Sequence, residues 1–274
     1  MTQSNDTPIH ATAIIGENVS LGENIRIAPY TVIDGNVTIA DGCRIGPHVH
    51  ITGNTTIGSN THIHAGAVIG DEPQDLNFTP ESDTYTQIGH DCVIREYVTI
   101  HRGTAEGSTT KIGNNVMLMG FAHVGHNCDI GDNVVVANST LLSGYVEIAE
   151  HAFLSGGLLV HQFVRIGTRA MLGGGGRIPQ DVPPYCMVVL GYVKGPNSVG
   201  LRRAKFSTGT RNSIRQAVRE LYFNGNNRRT AVEKIQQDHA AVPEAVHIAE
   251  FVAGSKRGIM PGDENQAHQQ DAGS

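Results

Sequence analysis

In the stretch Ile112-Gly-Asn-Asn-Val-Met-Leu-Met-Gly-Phe-Ala-His-Val-Gly-His-Asn-Cys-Asp-Ile-Gly-Asp-Asn-Val-Val-Val136 an aliphatic side chain returns at every sixth residue: Ile112, Leu118, Val124, Ile130 and Val136. An α-helix repeats at about 3.6 residues and a half-buried strand at every second residue, so neither accounts for a period of six. A β-solenoid does, with three short strands and about 18 residues to each coil. Outward from this stretch the phase holds over most of the chain. It runs from Ile9 to Ile69, resumes at Ile88, Ile94 and Ile100, and continues unbroken from Ile112 to Ile178, giving 26 hexads in all. The residue after the aliphatic one is Gly in eleven hexads, including Gly16, Gly22, Gly46, Gly113, Gly131 and Gly167, which predicts a tight backbone corner there. Four places after the aliphatic residue the side chain is small or β-branched, as at Ala13, Val19, Thr31, Val37, Val49, Val134 and Ala152.

Composition agrees with a thin aliphatic core. The 274 residues include 33 Gly, 7 Phe, 7 Tyr and no Trp, too few aromatics for a core anchored on large rings. Only 17% are charged, 20 basic against 26 acidic, which excludes both an acidic disordered chain and a globally basic nucleic-acid binder. No run approaches the roughly 18 apolar residues that span a bilayer, and Met1-Thr-Gln-Ser-Asn-Asp6 has neither the basic nor the apolar region of a signal peptide. A cytoplasmic protein without membrane insertion is expected. Cys43, Cys92 and Cys128 all fall on the small inward position and form no Cys-x-x-Cys pair, so they are expected to be buried, reduced thiols.

Two segments leave the repeat. Residues 70–87 are an insertion, and the hexad due at Glu106 is replaced by a polar loop over 102–111; long loops on a rigid scaffold are candidate binding elements. Past Ile178 the pattern stops at Pro179, Pro183 and Pro184, and helical periodicity follows over 213–223, 230–241 and 244–252. The expected organisation is an all-β solenoid over 1–190, a small helical domain over 191–260 and a disordered tail over 261–274. Charge is distributed unevenly across these parts. Residues 161–234 carry 13 Lys and Arg against 3 Asp and Glu, a block of +10, which leaves −16 for the remainder and points to a localised anion-binding function.

Three hexads make one coil, so residues 18 apart lie above one another. The hexads beginning at Val124, Leu142 and Val160 therefore stack on one face and bring His126, Tyr145 and His161 within roughly 10 Å, with His123 at the corner leading into that face. His10, His48, His50, His62, His64, His90, His151 and His268 belong to no such column and are read as solvated surface groups. Histidine is the side chain best suited to take a proton near neutral pH, so His126 or His123 is a candidate general base toward a hydroxyl nucleophile. Three histidines also admit a zinc site of the kind γ-type carbonic anhydrases build between solenoid subunits, although Cys128 points inward and could not serve as a ligand. A catalytically silent β-helical scaffold is the remaining alternative.

The hexads resemble those of the left-handed parallel β-helix family, and the handedness is taken from that resemblance. Within it, Gln74-Asp75-Leu76, Val98-Thr-Ile-His-Arg-Gly-Thr104, Ala122-His-Val-Gly-His-Asn-Cys128, Val160-His-Gln-Phe163 and Gln180-Asp-Val-Pro-Pro-Tyr185 are similar to the motifs of the acyl-carrier-protein:UDP-N-acetylglucosamine O-acyltransferases that begin lipid A biosynthesis. The similarity runs from about Ile9 to Gly258. It implies transfer of a long-chain 3-hydroxy acyl group from acyl carrier protein to the 3-position of UDP-N-acetylglucosamine, in the cytoplasm, by a homotrimer and with no cofactor beyond the carrier's phosphopantetheine thioester. It assigns His126 as the general base and the backbone N–H of Gly144 as the oxyanion donor. Asp75, His123, Tyr145, His161 and Gln162 would hold the sugar nucleotide, and Asn197 and Arg203 would face its phosphates. Gly174 matches the position that limits acyl-chain length, and a Gly there leaves room for a long chain. Arg165, Arg169, Arg211 and Arg215 lie in the +10 block, where an acidic carrier protein would dock. No metal is called for. The chain departs from the family's usual residues at Tyr145, Val199 and Asn77, all of which bear on substrate recognition, so a 3-amino sugar nucleotide stands beside UDP-N-acetylglucosamine as acceptor.

Overall fold

A computed structural model describes residues 8–263. Nearly every hexad supplies a short strand, and successive strands fall in turn on three sheets of nine, eight and ten strands, parallel except for the last pair of the third, that form the faces of a triangular prism. The first face holds strands such as His123–Val124, Leu141–Leu142 and Leu159–Val160; the second includes Asp129–Ile130 and Arg165–Ile166; the third includes Met117–Leu118, Phe153–Leu154 and Met171–Leu172. Register follows the repeat, with Val124 beside Leu142 and Leu142 beside Val160.

The inside is the expected aliphatic stack. Ile33, Ile51, Ile94, Leu118, Leu142 and Leu154 are fully buried, and the small column beside them includes Val37, Val49, Val134 and Ala152. Inward Thr and Cys side chains keep their polar atoms satisfied by donating to carbonyls of the adjoining coil: Thr31 Oγ1 to Gly46 O at 2.7 Å, and the Cys43 and Cys128 thiols to Gly58 O and Ser143 O at 3.2 Å. Burial pushes the Cys128 thiol up to about 12, well out of the reactive range. The aromatics that the core excludes stand at the prism edges, where Tyr97 stacks on Phe121 and Tyr145 on Phe163.

Several expectations need correction. Except at Gly70, where φ is +78°, the Gly after the aliphatic residue is not there for a left-handed corner. At Gly58, Gly125 and Gly131 φ is ordinary, and a Cβ would come within 2.6–2.9 Å of the next coil's backbone. The left-handed residue stands three places after the aliphatic one instead and is usually not Gly, as at Asn24, Asn60, Asn115, Asn133, Tyr97 and Tyr145. Among the described residues nothing stacks beneath the first coil, where Ile9 is exposed and Ile15 and Leu21 are only partly covered. The solenoid also outlasts the prolines. A last coil shortened to 16 residues places Val182 beside Ile166 and Val188 beside Leu172, and strand Cys186–Val189 then pairs antiparallel with Tyr192–Pro196, across the boundary expected at 190.

Four helices follow: α1 (Ser198–Arg203), α2 (Thr208–Tyr222), α3 (Arg228–Asp238) and α4 (Pro243–Ala253). The first was not anticipated, being too short to show a period. Asn197, Ser207 and Asn227 cap α1, α2 and α3 by accepting from an N–H three residues on, and Pro243 opens α4. Ile214, Val218, Ile235, Ile248 and Val252 form the domain's buried face. Buried Asp181 ties this domain to the solenoid, accepting from Arg165 N–H at 2.9 Å and from Ser255 Oγ at 2.8 Å. Residues 261–263 are not part of a disordered tail. Val193 N–H donates to Pro261 O, Asp263 N–H donates to Val193 O, and Lys194 pairs with Asp263. The rest of the tail expectation, 264–274, and His268 with it, lies outside the described residues.

Candidate active site

The two loops interrupt neighbouring coils and return to one another. Ile57 pairs with Ile88, 31 residues on where a regular coil takes 18, and Ile88 pairs with Ile112 after 24. Strands reach to Asp71 and resume at Tyr85 and at Thr109, so the irregular segments are narrower than the sequence indicates. Glu106 accepts from Asp83 N–H at 3.0 Å, and Gly107 N–H donates to Asp83 O at 2.8 Å. Arg102 reaches across as well, donating to Gly70 O at 3.1 Å, approaching Glu72 at 3.4 Å and lying over the Phe78 ring at 5.2 Å. The first loop is thereby pinned along the edge between the first and second faces.

His126 sits on that edge, in the turn after Val124. Its ring lies against Gly144, one coil on: a Cβ at position 144 would overlap ring atoms Cε1 and Nε2 and come within 2.9 Å of Nδ1. Tyr145 meets it edge-on at 5.3 Å. Nδ1 bonds Asn127 Oδ1 at 3.0 Å, while Nε2 faces Asp75 Oδ2 at 4.0 Å. Asp75 is aimed by Asn77, whose backbone N–H and side-chain amide both donate to Oδ1, at 2.9 and 3.3 Å. The Gly144 N–H has no backbone partner among the described residues. An imidazole nitrogen and a carboxylate thus face one another beside the Gly144 backbone, an arrangement suited to taking a proton from a hydroxyl.

His123 lies on strand His123–Val124 itself and not at a corner. Its Nδ1 bonds Thr99 Oγ1 at 2.7 Å, and its ring meets His101 edge-on at 4.8 Å. Burial, reinforced by His101 and His126, pushes His123 down to about 4, which favours its neutral form at physiological pH. Burial also lowers His101, which is almost fully enclosed. His101, Thr99, Thr104 and Asn127 stand in motifs quoted from the sequence, but the sequence reading gave them no role. Counting by 18 from His161 arrives at residue 107, because the extra hexad shifts the column; a count of 24 across 102–111 would have placed His101 beside Gly125.

The other expected site residues lie apart. His161 and Gln162 are exposed on the edge with His126. Gly174 belongs to the edge between the third and first faces, its Cα packed close to Gly156 O. Asn197 is on the remaining edge, where its amide donates to Arg169 O at 3.0 Å and accepts from Gly200 N–H at 3.0 Å, and Arg203 is exposed on α1. Arg165 and Arg169 act partly as struts to the helical domain, over Phe251 at 4.3 Å and Phe206 at 5.6 Å. Arg211 and Arg215, joined by Arg202, line a depression of about 340 Å³ with Ser198 and Thr208 and no acidic residue. Among the described residues no three His, Cys, Asp or Glu side chains are placed to hold a metal ion.

Comparison with known proteins places this geometry. The profile described as Udp N-acetylglucosamine O-acyltransferase, domain 2, matches residues 181–260, and the bacterial transferase hexapeptide profile matches 36–71 and 109–144. An acyl-(acyl-carrier-protein)–UDP-N-acetylglucosamine O-acyltransferase of Chlorobaculum tepidum is 55% identical over 89% of this chain and 94% of its own. That of a Sulfurihydrogenibium species is 52% identical over 92% and 94%. The solved structure of UDP-N-acetylglucosamine acyltransferase from Bacteroides fragilis superposes with a TM-score of 0.89 at 40% identity, covering 92% of this chain and 99% of that one, which also supports the left-handed sense of the β-helix. The chain belongs to the acyl-(acyl-carrier-protein)–UDP-N-acetylglucosamine O-acyltransferase family, a family of enzymes.

Proposed function

We infer that this enzyme transfers a long-chain 3-hydroxy acyl group from acyl carrier protein to the 3-hydroxyl of UDP-N-acetylglucosamine, the first step of lipid A biosynthesis. The observation that carries the reading is the pairing of His126 Nε2 with Asp75 across 4.0 Å, with the His126 ring seated against Gly144. Nε2 takes the hydroxyl proton as the sugar oxygen attacks the thioester carbonyl, and the Asp75 carboxylate stabilises the imidazolium that forms. The Gly144 N–H meets the oxyanion. Collapse expels the phosphopantetheine sulfur, which recovers the proton from His126, and the base is regenerated. Placing both substrates at this point supplies much of the remaining acceleration, so the reading calls for no metal and no covalent intermediate.

Substrate binding needs more than one copy of the chain. His126 and Asn197 occupy different edges of the prism, and one sugar nucleotide can reach both only if a neighbouring subunit supplies Asn197 and Arg203. Exposed Leu141 and Leu159 on the first face, and Phe153 on the third, favour an assembly through those two faces, whereas the second face turns out Thr38, Thr56, Gln87, Lys111, Asp129 and Glu147. A homotrimer with three equivalent clefts closes such heterologous contacts. The acyl chain would then run over Leu141 and Leu159 toward Gly174. The acid-free Arg202, Arg211 and Arg215 depression suits an acidic carrier protein in the cytoplasm.

The test is a transfer assay with 3-hydroxyacyl carrier proteins of several chain lengths, offering UDP-N-acetylglucosamine and its 3-amino analogue and reading products by mass spectrometry. An ester at the 3-position, lost by about 10²–10⁴-fold in His126→Ala, is the expected result. Product from the amino analogue alone would reassign the acceptor, and no product from either, with His126→Ala indistinguishable from wild type, would overturn the reading.

A further inference from the structure

We propose that Tyr145 and Thr104, acting through Asn127, are positioning residues that set the tautomer of the catalytic base. The proposal rests on the assignment of His126 as that base and moves Tyr145 from substrate contact to support.

Three groups converge on Asn127 Oδ1: Thr104 N–H at 3.2 Å, Thr104 Oγ1 at 2.9 Å and His126 Nδ1 at 3.0 Å. A backbone N–H can only donate, so the amide atom facing Thr104 is the oxygen and not the nitrogen. That oxygen carries no hydrogen, so the Thr104 hydroxyl donates to it. With its one hydrogen used, Thr104 Oγ1 can only accept from Tyr145 Oη, 3.1 Å away. His126 Nδ1 must likewise donate to Oδ1. The neutral ring is left with a bare Nε2, and Nε2 is the atom that faces Asp75. Donors therefore run from Tyr145 to Thr104 to Asn127, and the imidazole is anchored at the end opposite its reactive nitrogen.

Each member is held in place independently. Asn127 takes the left-handed backbone that Asn tolerates, and its N–H donates to Thr110 Oγ1 at 2.7 Å. Tyr145, a bulky residue for φ +60°, is stacked on Phe163 at 4.8 Å. Thr104 comes from the loop that replaces a hexad, and this contact accounts for what that loop does at the site.

Two measurements decide the matter. In ¹⁵N spectra of histidine-labelled protein near pH 8, His126 should show a protonated Nδ1 and a bare Nε2, shifting toward a tautomer mixture in Thr104→Val and returning in Thr104→Ser. Kinetically, Tyr145→Phe should lower kcat about 3–10-fold and Thr104→Val about 10–100-fold, with KM for the sugar nucleotide within about twofold. Asn127→Asp should move the acid limb of the kcat profile to higher pH, because a carboxylate at Nδ1 favours the imidazolium. A rise in KM with unchanged kcat in Tyr145→Phe would return Tyr145 to substrate contact, and an unaltered tautomer in Thr104→Val would overturn the relay. The spectroscopic result needs no turnover, so it stands or falls separately from the identity of the reaction.

Discussion

The coils from Ile112 to Ile178 and the pair interrupted by residues 72–84 and 102–108 share one core and differ in what they present outside. In the regular run, His126, Gly144 and Gln162 are spaced by 18 along one edge, and each hydrogen-bonded coil holds the next. The interrupted coils bury Ile88, Ile94 and Ile100 just as deeply, yet bring Asp75 and Thr104 to the site from loops that no period relates. Repetition sets His126 against Gly144, and its interruption brings in the Asp75 carboxylate and the Thr104 contact to Asn127. A solenoid face alone is flat, so unlike groups converge only where the repeat breaks.

The largest effect is expected from making the two regions alike. Deleting residues 72–84 removes the excess of 13 and returns the Ile57 to Ile88 step to 18 residues. The protein should still fold, with a circular-dichroism melt within a few degrees of wild type, while turnover falls by about 10³-fold or more because Asp75 and its pinning contacts are gone. A loss of folding would mean that the loop is part of the scaffold. Within the regular run, Leu142→Ala should cost about 2–5 kcal/mol in urea unfolding, whereas Ile15→Ala, on the half-covered first coil, should cost less than half as much.

Gly144→Ala should leave stability nearly unchanged but displace the His126 ring, lowering kcat about 10²-fold with little change in KM. The half-buried His123 makes a signed prediction. Its folded value, about 4, lies below the ordinary 6.5, so the unfolded chain binds the extra proton as pH falls through that window. Stability is fully present above about 6.5 and lost on going down to about 4, by an amount of order 3 kcal/mol. Thermal melts across this range should show the slope, and His123→Asn should flatten it. The smallest effect is expected at the rim, where Arg215→Glu should raise KM for acyl carrier protein several-fold at low salt and much less at high salt.

The hexads, the inward cysteines and the stacking of His126 under Gly144 and Tyr145 could all be read from residue spacing. The failures share a cause. His101 was missed because six extra residues shift its column, α1 because six residues are too few to show a period, and the last coil because a 16-residue turn containing three prolines does not match the 18-residue pattern. The Gly column was read as a conformational need when it is a matter of close approach between coils, and only the stacked backbones reveal the difference.

By itself the sequence determined the scaffold, because in a solenoid the partner of residue i is residue i+18 and local spacing already states the long-range pairing. It also determined the edge on which the base would stand. It took the folded chain to settle which nitrogen of His126 faces Asp75, that Asp75 crosses 51 positions of sequence to meet it, and that Asn197 lies on another edge. Those contacts run through loops, which have no ladder of repeating hydrogen bonds, and their end points depend on where the rest of the chain lies.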